Sequence, residues 1–300
     1  MKVGVRDIDV SHRDKVFFEE AGITKGDVID YYHDLAAVLL PHLRGRPISM
    51  ERFPDGTGGP GFFNKDTPDH FPEWIRRVAF PRREGGRFHA PVIKDEAALV
   101  YLADQAVLTV HLYLAPADDL EHPDRMVFDL DPPEGTEDFG RVRRAALSVR
   151  EVLEELDLPA WVQTTGSKGY HVTVPLDGSA DFDTARDFAR GVAEIVAARD
   201  DEHTTLEQRK KNRAGRVFLD TVRNAYGATV VAPYSVRARE GAPIATPITW
   251  DELRDGADPR DWTLQNVRRR LGQRDDPWKD VRRHGRSLAT RTETLESLRP

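Results

Sequence analysis

Met126-Val127-Phe128-Asp129-Leu130-Asp131-Pro132-Pro133 is the stretch on which the reading of the chain turns. It alternates with the period of a strand. Met126, Phe128 and Leu130 share one face; Val127, Asp129 and Asp131 share the other. The apolar face can enter a core while two carboxylates stand together at the strand's end. Pro132 and Pro133 cannot donate to a ladder, so the strand stops there. Two carboxylates this close repel unless a cation sits between them. A hard divalent ion with oxygen ligands meets that need. The plainer alternative is a surface strand end with two solvated acids.

Around this stretch the composition sets bounds. The 300 residues can bury a sizeable core as one large domain or two lobes. With no cysteine there is no disulfide, thiolate zinc site or cysteine nucleophile. No run is apolar for long enough to span a membrane, and the first residues lack a signal peptide's apolar stretch. A cytoplasmic location is expected. The net charge of -7 weighs slightly against nucleic acid as a partner, although clustering matters more than the total.

Upstream, Thr24-Lys25-Gly26-Asp27 reads as a capping box opening a helix that runs to about Leu40 and stops at Pro41. Lys25 lies in its first turn, where free amides favour an anion, and Lys15 is close in sequence. The two could hold a phosphate or be ordinary surface lysines. Ile48 to Phe53 reads as a strand. It leads into the Gly-rich loop Gly56 to Gly61 and then Phe62-Phe63-Asn64-Lys65. The aromatics could stack a base with Lys65 on a phosphate, although one Phe is expected in the core. Further strands are expected at 75–80 and 91–94, a helix at 95–105, and a strand Val107 to Tyr113 carrying His111.

Downstream, Phe139 to Leu156 and Phe182 to Arg199 read as amphipathic helices. Between them, strands Trp161 to Thr165 and Tyr170 to Pro175 flank Gly166-Ser167-Lys168-Gly169, with His171 following. Such a turn can hold phosphate through amides and an ammonium, or be a simple hairpin turn. Residues 206–239 contain eight Lys or Arg against Glu207 and Asp220, a basic patch that the total charge conceals. Within it, Val217 to Asp220 is a strand ending in a third acid. Asp220 among so many cations reads as a third metal ligand beside incoming phosphates. Thr229 to Pro233 reads as a strand, and 249–253 and 264–271 as short helices. Residues 272–300 read as a charged tail.

Taken in order, these pieces resemble the archaeo-eukaryotic primase superfamily, and most closely the polymerase domain of bacterial ATP-dependent ligase D. The resemblance runs from about Asp14 to Leu271. It rests on Asp14-Lys15-Val16 with Gly22 to Asp27, Phe128 to Pro132, Thr165 to Val172 and Ser235-Val236-Arg237-Ala238-Arg239. It implies an α/β fold with two β-sheets flanked by helices and the active site in the cleft between them. One catalytic domain, 1–271, would comprise an N-terminal lobe of about 1–105 and a triad-bearing lobe of about 106–271.

The resemblance also implies roles. Asp129, Asp131 and Asp220 match the catalytic metal-binding triad, with two ions, Mn2+ or Mg2+. His111, Arg52, Ser167, Lys168, His171, Arg213 and Arg237 match nucleotide contacts. Lys15 and Lys25 match a pocket for a DNA 5′-phosphate, and Phe62, Phe63 and Lys65 a template-stacking loop. The implied activity is template-directed addition of nucleotides to a primer 3′-OH at breaks or short gaps in non-homologous end joining. The implied partners are gapped or broken DNA, nucleoside triphosphates, an ATP-dependent ligase and the Ku end-binding protein, with no membrane. De novo primer synthesis, a non-catalytic nucleic-acid-binding module and a metal-dependent phosphohydrolase or nuclease are the alternatives. The chain departs from the pattern at His12-Arg13 before Asp14-Lys15, where Asn-Pro is frequent, and at Thr165, where Ser is frequent. No ligase or nuclease segment is read here, so a stand-alone paralogue or an excised domain is expected.

Overall fold

A computed structural model describes residues 1–82 and 85–300. The chain divides into two compact units. One comprises Met1–Leu120, Thr229–Ala245 and Trp262–Lys279; the other comprises Glu121–Ala228, Thr246–Asp261 and Asp280–Pro300. Strands and helices are numbered along the whole chain.

The first unit opens with two short antiparallel pairs, β1 (Lys2–Val3) with β2 (Arg6–Asp7), and β3 (Val16–Phe18) with β4 (Ile23–Thr24). Helix α1 (Lys25–Asp34) follows. The expected capping box forms: the Asp27 amide donates to the Thr24 hydroxyl at 3.2 Å, and the Thr24 amide to the Asp27 carboxylate at 2.7 Å. Helix α2 (Ala36–Leu43) continues after Leu35. An antiparallel four-stranded sheet has the order β15 (Thr229–Val231), β9 (Val107–Tyr113), β5 (Ile48–Arg52), β6 (Phe62–Asn64). A hairpin of β7 (Arg77–Pro81) and β8 (Arg87–Pro91), helix α3 (Glu96–Asp104) and helix α7 (Val267–Gln273) complete the unit. Ile48, Met50, Leu108, Val110 and Leu112 of the sheet are buried, as are Val28, Ile29 and Tyr32 of α1 and Leu99 and Val100 of α3. Burying each large aliphatic side chain contributes on the order of 1.5–3 kcal/mol.

The second unit is built on a six-stranded sheet. Its order is β13 (Thr204–Thr205), β14 (Val217–Asp220), β10 (Arg125–Asp131), β12 (Tyr170–Pro175), β11 (Trp161–Thr164), β16 (Pro247–Ile248). The β13 and β14 pair is parallel and the rest antiparallel. Helices α4 (Phe139–Glu155) and α5 (Phe182–Arg199) pack on each other and on β10. The spacing Val142, Ala145, Ala146, Val149, Val152, Leu153 puts one apolar stripe of α4 inside. Helix α6 (Trp250–Arg254) starts from its own capping box, Thr249 with Glu252, and α8 (Thr292–Leu298) lies on α5.

Several expectations need correction. The break after α1 falls at Leu35, and Pro41 lies inside α2. Near the end of an eight-residue helix a proline forfeits little more than the bond to Ala37. The strands expected at 75–80 and 91–94 fall at Arg77–Pro81 and Arg87–Pro91. The lobe boundary expected near residue 105 falls at Leu120, because β9 pairs with β5 from Ile48↔Leu112 to Arg52↔Val107. Residues 272–300 are folded onto the units, with Trp278, Leu288 and Leu295 buried. Of the eight cations in the basic stretch 206–239, Arg237 and Arg239 belong to the first unit and the other six to the second.

Candidate active site

The carboxylates meet in the second unit because of strand register. Asp129 of β10 lies directly opposite Asp220 of β14, and Asp131 is two residues on, on the same face. Asn224 prolongs the β14 side of the ladder. Its amide nitrogen donates to the Val127 carbonyl at 2.7 Å, and the Val127 amide donates to its oxygen at 2.8 Å. The Asp220 carboxylate accepts from the Val222 amide at 2.8 Å, which closes the turn that carries Arg223.

The three acids have different surroundings. Asp129 is buried, with His171 Nε2 3.3 Å from Oδ1 and Arg223 Nε 3.2 Å from Oδ2. Burial alone would push its carboxyl up, but those two cationic or donating partners outweigh it and hold it at about 2. Burial and then the charges of Asp129 and Asp220 push Asp131 up to about 6. Asp220 is raised too, by burial and by Asp129, although Arg223 Nε is 3.6 Å away. Among the described residues no group of three or more His, Asp or Glu side chains is gathered closely enough to grip a metal ion as it stands. The donor chemistry nevertheless fits a hard divalent cation. Asp131 is a carboxylate whose charge its neighbours disfavour, the condition such an ion relieves.

The turn from Thr165 to His171 lies against this strand. A Cβ on Gly169 would stand 2.0 Å from the Leu130 carbonyl oxygen, so only glycine lets the turn approach β10. Gly166 takes φ of +62°, the left-handed conformation the turn requires. Thr165 serves as the closing hydroxyl. Its Oγ1 accepts from the Gly169 amide at 3.2 Å, and its own amide donates to the Gly169 carbonyl at 3.0 Å. Lys168 is exposed and Ser167 half-buried. Arg213 is buried, its guanidinium donating to the Glu207 and Gln208 carbonyls at 3.1 Å and stacking 3.9 Å from the Phe218 ring centroid.

In the first unit, His111 Nε2 is 3.5 Å from Glu51 Oε2 and its ring centroid is 5.2 Å from that of Phe63. Burial pushes the Glu51 carboxyl up, but His111, Thr109 and Arg237 outweigh it, so the net shift is downward. Phe62 pairs with Arg52 and Phe63 with Glu51 in the sheet register. The core position expected for one of the two does not exist. Both lie on an edge strand and are 46% and 60% exposed. Arg52 donates to the Gln105 carbonyl at 2.9 Å and lies over the Phe62 ring at 5.6 Å; Lys65 is exposed.

Lys15 and Lys25 are joined by a backbone bond, the Lys25 amide donating to the Lys15 carbonyl at 2.8 Å. Lys15 Nζ reaches Asp55 at 2.8 Å near the surface. Lys25 is no surface lysine. It is buried, 2.6 Å from Asp104 and 3.2 Å from the Ser11 hydroxyl.

Sequence reasoning passed over Arg223, Glu51 and Gln163 as site residues. Arg223 stands three places after Asp220, and Gln163 is a polar residue at a core position of β11; those were the available signals.

A mixed α/β fold with three acids on neighbouring strands beside a Gly-Ser-Lys-Gly turn defines a class that comparison with known proteins makes specific. The model of the LigD primase-polymerase domain matches residues 24–278. The multifunctional non-homologous end joining protein LigD of Mycolicibacterium smegmatis is 36% identical over 250 residues, 83% of this chain and 32% of that protein. The bifunctional LigD of Bacillus subtilis is 30% identical over 272 residues, 90% of this chain and 43% of that protein. The polymerase domain of Mycobacterium tuberculosis Ligase D, solved in complex with DNA, superposes with a TM-score of 0.86 at 32% identity, covering 93% of this chain and 99% of that one. The chain therefore belongs to the LigD primase-polymerase domain family, and it spans about a third of the length of the mycobacterial relatives.

Proposed function

We propose that this chain is a template-directed polymerase that extends primer 3′ ends at DNA breaks or short gaps in non-homologous end joining. The carrying observation is the direct pairing of Asp129 with Asp220, with Asp131 alongside and the Gly166–Gly169 turn against the same strand. Family membership supports the reading. In this chemistry a 3′-hydroxyl attacks the α-phosphorus, a new P–O bond forms, the bond to the β-phosphate bridge breaks and pyrophosphate leaves.

Asp129, Asp131 and Asp220 would hold the metal, Mn2+ or Mg2+ and two ions by our reading. Bound there, it would lower the proton affinity of the hydroxyl and stabilise the leaving oxygens. Lys168 and Ser167 are assigned to the triphosphate, where an exposed ammonium on a turn offsets charge. His171 and Arg213 complete the second unit's nucleotide contacts; His111, Arg52 and Arg237 are the first unit's. Lys15 and Lys25 are assigned to a DNA 5′-phosphate, which must compete with Asp55 and Asp104 for them. Phe62, Phe63 and Lys65 are assigned to template bases, for which exposed rings suffice. A ligase and the Ku end-binding protein are the proposed partners.

The test is extension of a gapped, 5′-phosphorylated duplex with each nucleotide and each metal. The unmutated protein should extend it with release of pyrophosphate, and Asp129→Ala should bind the duplex without extending it. Normal extension by that variant would refute the reading, and synthesis on unprimed template would move it to a primase.

A further inference from the structure

Three buried polar residues form one row across three neighbouring strands of the second unit. Gln163 of β11 is in register with His171 of β12, and His171 is in register with Asp129 of β10. They are 1%, 4% and 8% exposed. Gln163 Nε2 is 3.3 Å from His171 Nδ1, and His171 Nε2 is 3.3 Å from Asp129 Oδ1. The three residues lie on hydrogen-bonded neighbouring strands, so the register of the sheet itself fixes these contacts.

We propose that Gln163 is a positioning residue that holds His171 in the tautomer with its proton on Nε2, aimed at Asp129. The inference rests on the polymerase reading above. With the Gln163 amide assigned so that its nitrogen faces the ring, that nitrogen donates and Nδ1 accepts; the reversed amide would instead put a proton on Nδ1. An ionised carboxylate only accepts, so the Nε2 facing it must carry a proton. Both ends of the ring thus demand the same form. The consequence reaches Asp129. Its Oδ1 is engaged by the ring and its Oδ2 by Arg223, so the carboxylate's rotation is set from both sides. His171 then presents a single directed N–H, the group needed to hand over from Asp129 to a phosphate oxygen when substrate arrives. Outer partners of this kind fix ring orientation and tautomer in other proteins, and their loss typically costs about 10–100-fold in affinity or activity.

The experiment is long-range 1H–15N correlation spectroscopy of the His171 ring in the metal-free, 15N-labelled protein, paired with primer extension. The unmutated protein should show a bare Nδ1 and a protonated Nε2. Gln163→Glu replaces the donor by an acceptor and should put a proton on Nδ1. Gln163→Leu removes the donor, should mix the two tautomers, and should lower kcat by about 10–100-fold with DNA binding and melting temperature retained. A protonated Nδ1 in the unmutated protein overturns the proposal, even where neither variant folds. So does a Gln163→Leu variant that extends normally. Failure of the polymerase reading shows separately, as absence of extension by the unmutated protein whatever the ring spectrum.

Discussion

Gly169 stands so close to Leu130 that a methyl group added to it would meet the Leu130 carbonyl oxygen at 2.0 Å. This approach seats the Ser167-Lys168 turn on the strand that carries Asp129 and Asp131. Backbone against backbone leaves neither side free to yield. The two motifs are therefore one object, and a defect at their junction should be felt in both.

Gly169→Ala is expected to lose extension almost completely and to lower stability by about 1–3 kcal/mol, the usual cost of overpacking. Gly272→Ala is the control. It lies in α7 with open space around it, and should gain about 0.5–1 kcal/mol from helix propensity. Denaturant melts of both variants, read with primer extension, check the pair.

Asp131 should make the metal-free protein less stable as pH rises. Its folded value of about 6 lies above the ordinary 3.8, so the folded state holds the proton more tightly. The penalty starts near pH 4, grows until about pH 6 and then stays, reaching about 2–3 kcal/mol. Asp131→Asn should remove it, so the variant's melting advantage should widen between pH 4 and 6 and hold at pH 7. A divalent ion should abolish that advantage. A gap constant across this range would count against the assignment.

A second titration runs the other way. Tyr234 holds φ of +61°, a conformation that costs a bulky residue about 1–3 kcal/mol. Its hydroxyl donates to Asp276 at 2.8 Å, and the other Asp276 oxygen meets buried His42 at 2.7 Å. Burial pushes the Asp276 carboxyl up, but His42, the Trp278 amide and Tyr234 outweigh it, and its net position is below 3.8. Its contribution is therefore full above pH 4 and lost as pH falls through that lower value. Asp276→Ala should cost about 3–5 kcal/mol at pH 7. The cost should shrink toward pH 3, as thermal melts can show.

Phe62 and Phe63 give a prediction without a stability cost. Both are exposed on an edge strand, so Phe62→Ala with Phe63→Ala should leave the melting temperature nearly unchanged. Affinity for a templating overhang should fall, by about 1–3 kcal/mol for each base that loses its stacking partner. Fluorescence anisotropy with a labelled overhang reads this directly.

What could be read from the order of residues was local. Alternation and Pro132 mark β10; the 3.6 period marks α4 and α5, whose bounds hold to within a residue. The capping box at Thr24 is a contact between residues three apart and shows in the text of the chain. The pairing of β9 with β5 joins Leu112 to Ile48 and leaves no local trace, so the boundary near 105 was misplaced. Lys25 looked solvated because its partner Asp104 lies far away in sequence. The exposure of Phe62 and Phe63 has the same origin: an edge position is a property of the sheet, which a dipeptide cannot reveal. Gln163 has significance only through two cross-strand registers.

The two units interleave along the chain, and synthesis on the ribosome inherits that arrangement. The four-stranded sheet lacks an edge until residue 231 has emerged, and the Tyr234 hydroxyl lacks its acceptor until Asp276 has followed. Neither unit is therefore whole until late: the first needs residues up to Lys279 and the second residues up to Pro300. A nascent chain stalled near residue 228 would hold nearly all of the carboxylate strands and an uncompleted partner, exposed to chaperones or proteases until translation resumes.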